Sequence, residues 1–329
     1  MLKKTILRIF PASLRNMFEI VASEGECVQE IRLRAGQPVI VVRQPKDTEA
    51  SLEFFLSKEG KWDTNEKKAF VMSARDMEET LKHICNYSVY AYDEEIRHGY
   101  LTLQGGHRVG LAGQVVWEHD TVKTMKYINY MNIRVAHEIK DVSKPVLSFL
   151  YENGDFLNTL IVSPPGCGKT TMLRDIVRNV SNGNRYGKGC TVGLVDERSE
   201  IAGTYQGLPE NDVGIRTDVL DACPKVYGMM LLIRSLSPKV IAIDELGSSD
   251  DVKALELVMH CGSKILATIH GTDMESIITK RFMKEILKDK AFERYILLGK
   301  HNGKCIIEGI YDQDFRVFSD FSGYNRMRS

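Results

Sequence analysis

Nine residues constrain this chain more than any other stretch. Ser163-Pro164-Pro165-Gly166-Cys167-Gly168-Lys169-Thr170-Thr171 stand between a short apolar run, Leu160-Ile161-Val162, and a segment whose Met172, Leu173, Ile176, Val177 and Val180 share one helical face. The pattern predicts a buried strand, a glycine-rich loop and a helix, which together open a βαβ unit. The loop fits G-x-x-x-x-G-K-[ST] at every position but the first, where Ser163 replaces glycine. Short glycine-rich turns arise by chance, and the strand before and helix after distinguish a phosphate loop from one of these.

Such a loop works because glycines let backbone N–H groups curl around an anion, while the helix that follows offers the positive end of its dipole. Ser163 to Thr171 are therefore the expected nucleotide-binding residues. Lys169 is expected to bridge the β- and γ-phosphates of ATP, and Thr170 to hold Mg²⁺.

Further apolar runs at 191–195, 240–243 and 264–269 repeat the strand signature, separated by helical segments such as 252–259. They predict an α/β domain of the RecA/AAA-like P-loop NTPase class, a parallel sheet covered by helices, over residues 141–329. The run Val240-Ile241-Ala242-Ile243 ends in Asp244-Glu245. Asp244 is expected to orient Mg²⁺ and Glu245 to polarise the attacking water. The next run ends in Thr268-Ile269-His270. Ligands gather at the carboxyl ends of parallel strands, so Thr268 and His270 are expected near the γ-phosphate, with His270 as its sensor. Asp196-Glu197-Arg198 bring three more charges to the same sheet edge.

Residues 1–140 predict a smaller α+β domain, with the polar stretch His137 to Pro145 as the boundary. Leu14, Phe18 and Val21 repeat at helical spacing after Pro11. Ile31 and Leu33 alternate with arginines, and a Gly36-Gln37-Pro38 turn leads to Val39–Val42, which reads as a hairpin. Residues 45–68 are charged and read as a loop or insertion. Ser73 and Asp76 form a capping box before Met77, Leu81 and Ile84. A second hairpin is expected from 100–104 through Gly105-Gly106 to 107–117. Beyond Lys280, a charged helix carries Phe282, Ile286 and Leu287, and short strands at 295–298 and 304–310 leave open whether they close the sheet or face a partner.

Lys and Arg total 44 against 44 Asp and Glu, so no overall field draws the chain to nucleic acid or to an anionic membrane. Seven cysteines without a C-x-x-C pair suit reduced thiols in the cytoplasm. Arg8 and Pro11 interrupt the apolar N-terminal stretch before a signal core forms, and no apolar run approaches the ~18 residues of a spanning helix.

With these motifs placed, the second domain resembles the type II and type IV secretion ATPases, on Ser237-Pro238-Lys239, Asp244-Glu245-Leu246-Gly247, 250–257 and Ala267-Thr268-Ile269-His270. The combination of Val195 to Gly203, Gly105 to Gly113 and Ser163 to Thr170 resembles more closely the stage III AA sporulation family of endospore-forming bacteria. The resemblance runs over nearly the whole chain, and the combined motifs are specific where each alone names only a broad ATPase class.

The resemblance implies a cytoplasmic ATPase of the mother cell, peripheral at the inner face of the membrane. It also implies a homo-oligomeric ring, a hexamer, docked on membrane-embedded proteins of a channel to the forespore. Secretion ATPases commonly have glycine where Asp244 stands, which sets this metal site apart from theirs. Rings of this kind complete each site with an arginine from another domain or subunit. Arg97, Arg108 and Arg134 are the candidates here, and Arg108, flanked by glycines in the hairpin motif, is the foremost as a catalytic finger.

Two other readings compete. A nucleic-acid-dependent ATPase motor would use the same fold, although no nucleic-acid module follows Lys280 and no broad basic face is expected. A nucleotide-gated scaffold without useful hydrolysis is opposed by Glu245.

Overall fold

Runs of apolar residues without polar alternation form strands buried on both faces, and such strands need helices on either side. The second compact unit, Glu138–Ser329, is built from them. The computed structural model describes residues 2–44, 51–118, 121–301 and 304–320. Among these, eight strands of the second unit form one sheet, in the order Thr217–Asp221, Val192–Asp196, Val240–Glu245, Lys264–His270, Thr159–Ser163, Arg294–His301, Lys304–Asp312 and Val317–Asp320. Its first six strands are parallel. The last two are antiparallel to their neighbours. All five residues of Thr159–Ser163 and of Val192–Asp196 are buried.

The helix Lys169–Asn182 buries Met172, Leu173, Ile176, Val177 and Val180 on the sheet, as its spacing predicts. Lys225–Ser235 and Ser249–His260 add further helices, the latter opened by a capping box between Ser248 and Asp251. The C-terminal strands, undecided by sequence, close the sheet: Arg294–His301 pairs in parallel with the strand that feeds the glycine-rich loop. The charged segment before them is a 3-10 turn, Arg281–Met283, running into the short helix Lys284–Lys288, which buries Ile286 and Leu287.

The first unit, Met1–His137, has a seven-strand antiparallel sheet among its described residues. Its order is Trp62–Asp63, Leu52–Leu56, Ile40–Arg43, Val28–Arg34, Thr121–Arg134, Arg108–Glu118 and Tyr100–Thr102. Ile31, Leu33, Val41, Leu56, Val109, Met131 and Ile133 form a core with Phe10, Phe18 and Met77 from the helical segments. Both expected hairpins are present, and the Ser73/Asp76 capping box opens the helix Ala74–Ile84. The division between the units falls between His137 and Glu138, inside the polar stretch.

Three expectations need correction. The helix expected after Pro11 is two short pieces, Ala12–Arg15 and Glu19–Ser23. Phe18 lies at the break, where it stacks on Phe10 with ring centroids 3.6 Å apart. The segment 45–68 is not simply a loop: 45–50 lie outside the described residues, but Leu52–Leu56 and Trp62–Asp63 extend the sheet. Arg43 holds them, its guanidinium 5.3 Å from the Phe54 ring and 4.4 Å from that of Trp62, contacts invisible in a charge-rich one-dimensional pattern. The expected hairpin strand 107–117 also gains a long partner unread in the sequence, Thr121–Arg134.

Candidate functional site

Gly166 and Gly168 have φ of +72° and +77°, the left-handed region that costs other residues steric strain. The chain therefore turns tightly between Ser163 and the helix that starts at Lys169. Gly168 caps that helix without a side-chain hydrogen bond, so the first-turn N–H groups are left to an external acceptor. Ser163 is buried, and its hydroxyl donates to the Pro164 carbonyl at 2.8 Å, which satisfies the group that replaces glycine. Pro164 is half-buried and Pro165 exposed, while the Cys167 thiol is buried 3.8 Å from the Pro165 carbonyl. Thr170 and Thr171 are half-buried in the first helical turn.

Parallel pairing sets Ser163 beside His270 and brings the acidic strand to the same edge. Lys169 Nζ lies 3.0 Å from Glu245 Oε2 and 3.4 Å from His270 Nε2, and the Glu245 carboxylate lies 3.1 Å from His270 Nε2. Thr268 is buried and donates to Asp244 Oδ1 at 3.3 Å.

His270 Nδ1 faces the Ser163 carbonyl at 3.4 Å. Its Nε2 faces an ammonium and a carboxylate, which demand opposite proton occupancies.

The two adjacent carboxyls are pushed apart. Burial lifts Asp244 above the ordinary Asp value, only partly opposed by the charge of Lys169. Burial also acts on Glu245, but the hydrogen bond and charge of Lys169, then His270 and Arg198, outweigh it and hold the group below the usual Glu value. Divergent carboxyls are a mark of functional sites.

One strand further along the edge, the buried Asp196 carboxylate accepts from the backbone N–H groups of Glu200, Ile201 and Ala202 at 2.8–3.0 Å. Arg174, on the loop helix, donates to the carbonyls of Ile201 at 2.6 Å and Glu200 at 2.9 Å. Lys225 Nζ reaches Glu197 at 2.9 Å. Glu197, Arg198, Lys225, Asp244, Glu245 and Gly247 line a cavity of about 150 Å³. Arg174 and Lys225 were missed in sequence. Arg174 bonds main-chain carbonyls, which leave no residue-type signal, and Lys225 stands far along the chain from its partner.

The candidate arginines belong to the first unit. Arg97 pairs with Asp93 at 2.7 Å, Arg134 with Glu30 at 3.6 Å, and the Arg108 guanidinium lies 4.4 Å from the centre of the Tyr100 ring. Among the described residues no group of three or more His, Cys, Asp or Glu side chains is assembled to hold a metal ion.

The profile of the family described as "Sporulation stage III, protein AA" matches residues 1–317. The chain belongs to that family. Within it, the stage III sporulation protein AA of Bacillus subtilis (strain 168) is 38% identical over 319 residues, 97% of this chain and 98% of that protein. Among solved structures, the DotB ATPase of Legionella pneumophila is similar at 13% identity with a TM-score of 0.56, covering 97% of this chain and 84% of its own. The pilus retraction motor PilT is similar at 13% identity with a TM-score of 0.54, covering 88% and 81%. At such identities the likeness establishes the fold, and this stage III AA family member has the P-loop fold expected from its sequence.

Proposed function

We propose that this protein hydrolyses ATP with Mg²⁺ as a ring-forming motor, a homo-hexamer on the cytoplasmic face of a membrane, serving a channel between mother cell and forespore. The observation that supports it best is the convergence of Lys169, Glu245 and His270 within 3.0–3.4 Å beside a left-handed glycine loop. The site suits a triphosphate with a divalent ion. The loop leaves helical N–H donors unbonded by side chains, and Asp244 is a buried carboxyl that accepts from a neutral hydroxyl at 3.3 Å.

Thr170 and Asp244 would hold Mg²⁺ together with phosphate oxygens, as Mg²⁺ is commonly held by one or two protein groups plus substrate phosphates. Mg²⁺, when bound, neutralises charge on the phosphate oxygens. Lys169 exchanges Glu245 for the phosphate chain. Glu245, still a carboxylate, then orients the water whose oxygen attacks the γ-phosphorus as the bond to ADP breaks. Departure of the ammonium leaves the His270 ring facing the Glu245 carboxylate alone, 3.1 Å away, and this change of neighbour registers that the phosphate has arrived.

PilT was solved with bound ADP, and DotB is described as an ATPase, which agrees with this reading. Membrane attachment through partner proteins is in keeping with a chain in which no described helix is long and apolar enough to cross a membrane.

Phosphate release across a protein-concentration series tests the proposal. Specific activity is expected to rise with concentration, and Lys169→Ala, Glu245→Gln and Arg108→Ala to abolish it. Turnover that is absent in the wild type, or survives Lys169→Ala and Glu245→Gln, would overturn the hydrolysis reading. Activity flat with concentration, or indifferent to Arg108→Ala, would remove the shared-site ring. A severalfold stimulation by single-stranded DNA would favour the nucleic-acid motor instead.

A further inference from the structure

The turn after the strand Val192–Asp196 is held more firmly than an exposed connection needs to be. Asp196 takes three backbone N–H groups from 200–202, and Arg174 of the loop helix grips the carbonyls of Glu200 and Ile201. Ser199 sits at φ +53°, unusual for a residue with a Cβ, while its hydroxyl donates to Asp221 at 2.6 Å. Strain of this kind persists where surrounding bonds over-determine it, and it gathers at functional sites.

What this anchored turn presents is Arg198. Its side chain is exposed, and it makes no hydrogen bond or ion pair among the described residues. It nevertheless lines the same cavity as Asp244 and Glu245. The other charges there are committed: Lys225 to Glu197 at 2.9 Å, and Glu245 to Lys169 at 3.0 Å. Two carboxylates at the strand end repel a phosphate, so a planar cation with five donors and no acceptor beside them has an evident use.

We propose that Arg198 engages the terminal phosphoryl group of the nucleotide in cis, from the same chain that supplies Lys169 and Glu245. This rests on the reading of the site as a triphosphate site, and it assigns the charge-neutralising arginine to the second unit rather than to Arg108 alone. The ligand class is a nucleoside triphosphate, distinguished from the diphosphate by the group Arg198 touches.

Two measurements on the full chain test it. Calorimetric titration with ATPγS and with ADP reads the contact without turnover. Arg198→Ala is expected to weaken ATPγS at least tenfold while ADP affinity stays within about twofold, with Arg198→Lys in between. An unchanged ATPγS-to-ADP ratio overturns the proposal. In phosphate release, Arg198→Ala should lower kcat at least ~1,000-fold, the lower end of the range an active-site arginine supplies (~10³–10⁵).

Equal mixtures of Arg198→Ala with Lys169→Ala chains should release no more phosphate than the two alone, because a cis residue cannot complement its neighbour's site. Recovery of turnover in the mixture would show Arg198 acting in trans and overturn the assignment. Absence of wild-type turnover would defeat the hydrolysis reading, yet the affinity ratio would still decide Arg198. Should Arg198→Ala fail to fold, Arg198→Lys, which keeps the charge and loses the planar fork, supplies both measurements.

Discussion

Gly168 illustrates how a single residue decides whether the candidate site exists. A methyl group there meets only Cys305 side-chain atoms at 3.7 Å, ordinary contact, so Gly168→Ala fails through its φ of +77° and not through crowding. We expect a stability loss of about 1–2 kcal/mol together with loss of the thermal shift that the proposed ATP site predicts for the wild type, both read in one melting experiment. Retained ATP protection in the variant would mean that the loop can relax without surrendering its ligand. Lys169, Thr170, Asp244 and Glu245 were legible as candidates because phosphate chemistry demands those residue types at those spacings. Their present arrangement was not, since the 3.0 Å pair between Lys169 and Glu245 joins residues from separate elements.

Among the elements, the helix Lys225–Ser235 packs against the strand Val192–Asp196 through Gly228. A Cβ at Gly228 would stand 2.6 Å from Cγ1 of Val195, a stiff β-branched side chain in the buried strand. Helix propensity alone says that Gly228→Ala should stabilise by up to ~1 kcal/mol. The packing says that it should destabilise, overpacking costing ~1–3 kcal/mol. We expect packing to win, with a lower midpoint in urea and partial recovery in the double variant Gly228→Ala, Val195→Ala. A rise in the midpoint would show that the helix slides freely on the strand. The same limit on local reading explains the segment 51–68. Its charge density hid two strands whose evidence lies in distant partners, such as Trp62 donating to Glu24, at the end of the helix Glu19–Ser23, at 3.1 Å.

Across the molecule, two buried titratable groups make the units respond oppositely to acid. In the first unit His107 is fully buried. Its Nδ1 accepts from the Ala136 N–H, its Nε2 meets the Thr5 hydroxyl, and burial, aided by His137, drops it to about 4. Its folded value lies below the ordinary 6.5, so the folded state binds fewer protons between these values. Stability is thus lost as pH falls from 6.5 towards 4, by about 3 kcal/mol at full linkage.

In the second unit burial raises Asp196 to about 6 against the bonds from Ala202, Glu200 and Ile201. Here the folded state binds more protons, and the contribution improves as pH falls from about 6 to 4. Hydrogen exchange followed by mass spectrometry from pH 7 to 4.5 should therefore show protection lost first within 1–137. His107→Gln should flatten that dependence, and Asp196→Asn should leave it in place. Loss of protection in the second unit first would contradict both assignments.

From the sequence alone came the P-loop fold, the strand ends that carry Asp244, Glu245 and His270, the capping boxes, the two hairpins and the resemblance to the sporulation family. Each of these is written in local periodicity, in a glycine that must turn, or in residues a short distance apart. Tertiary structure alone decided that the C-terminal strands close the sheet, that 51–68 adds strands, that Lys169 rests on Glu245, and that Arg174 and Asp196 brace the turn bearing Arg198. These arrangements depend on strand order and on hydrogen bonds to main-chain atoms, which every residue possesses and no residue name announces.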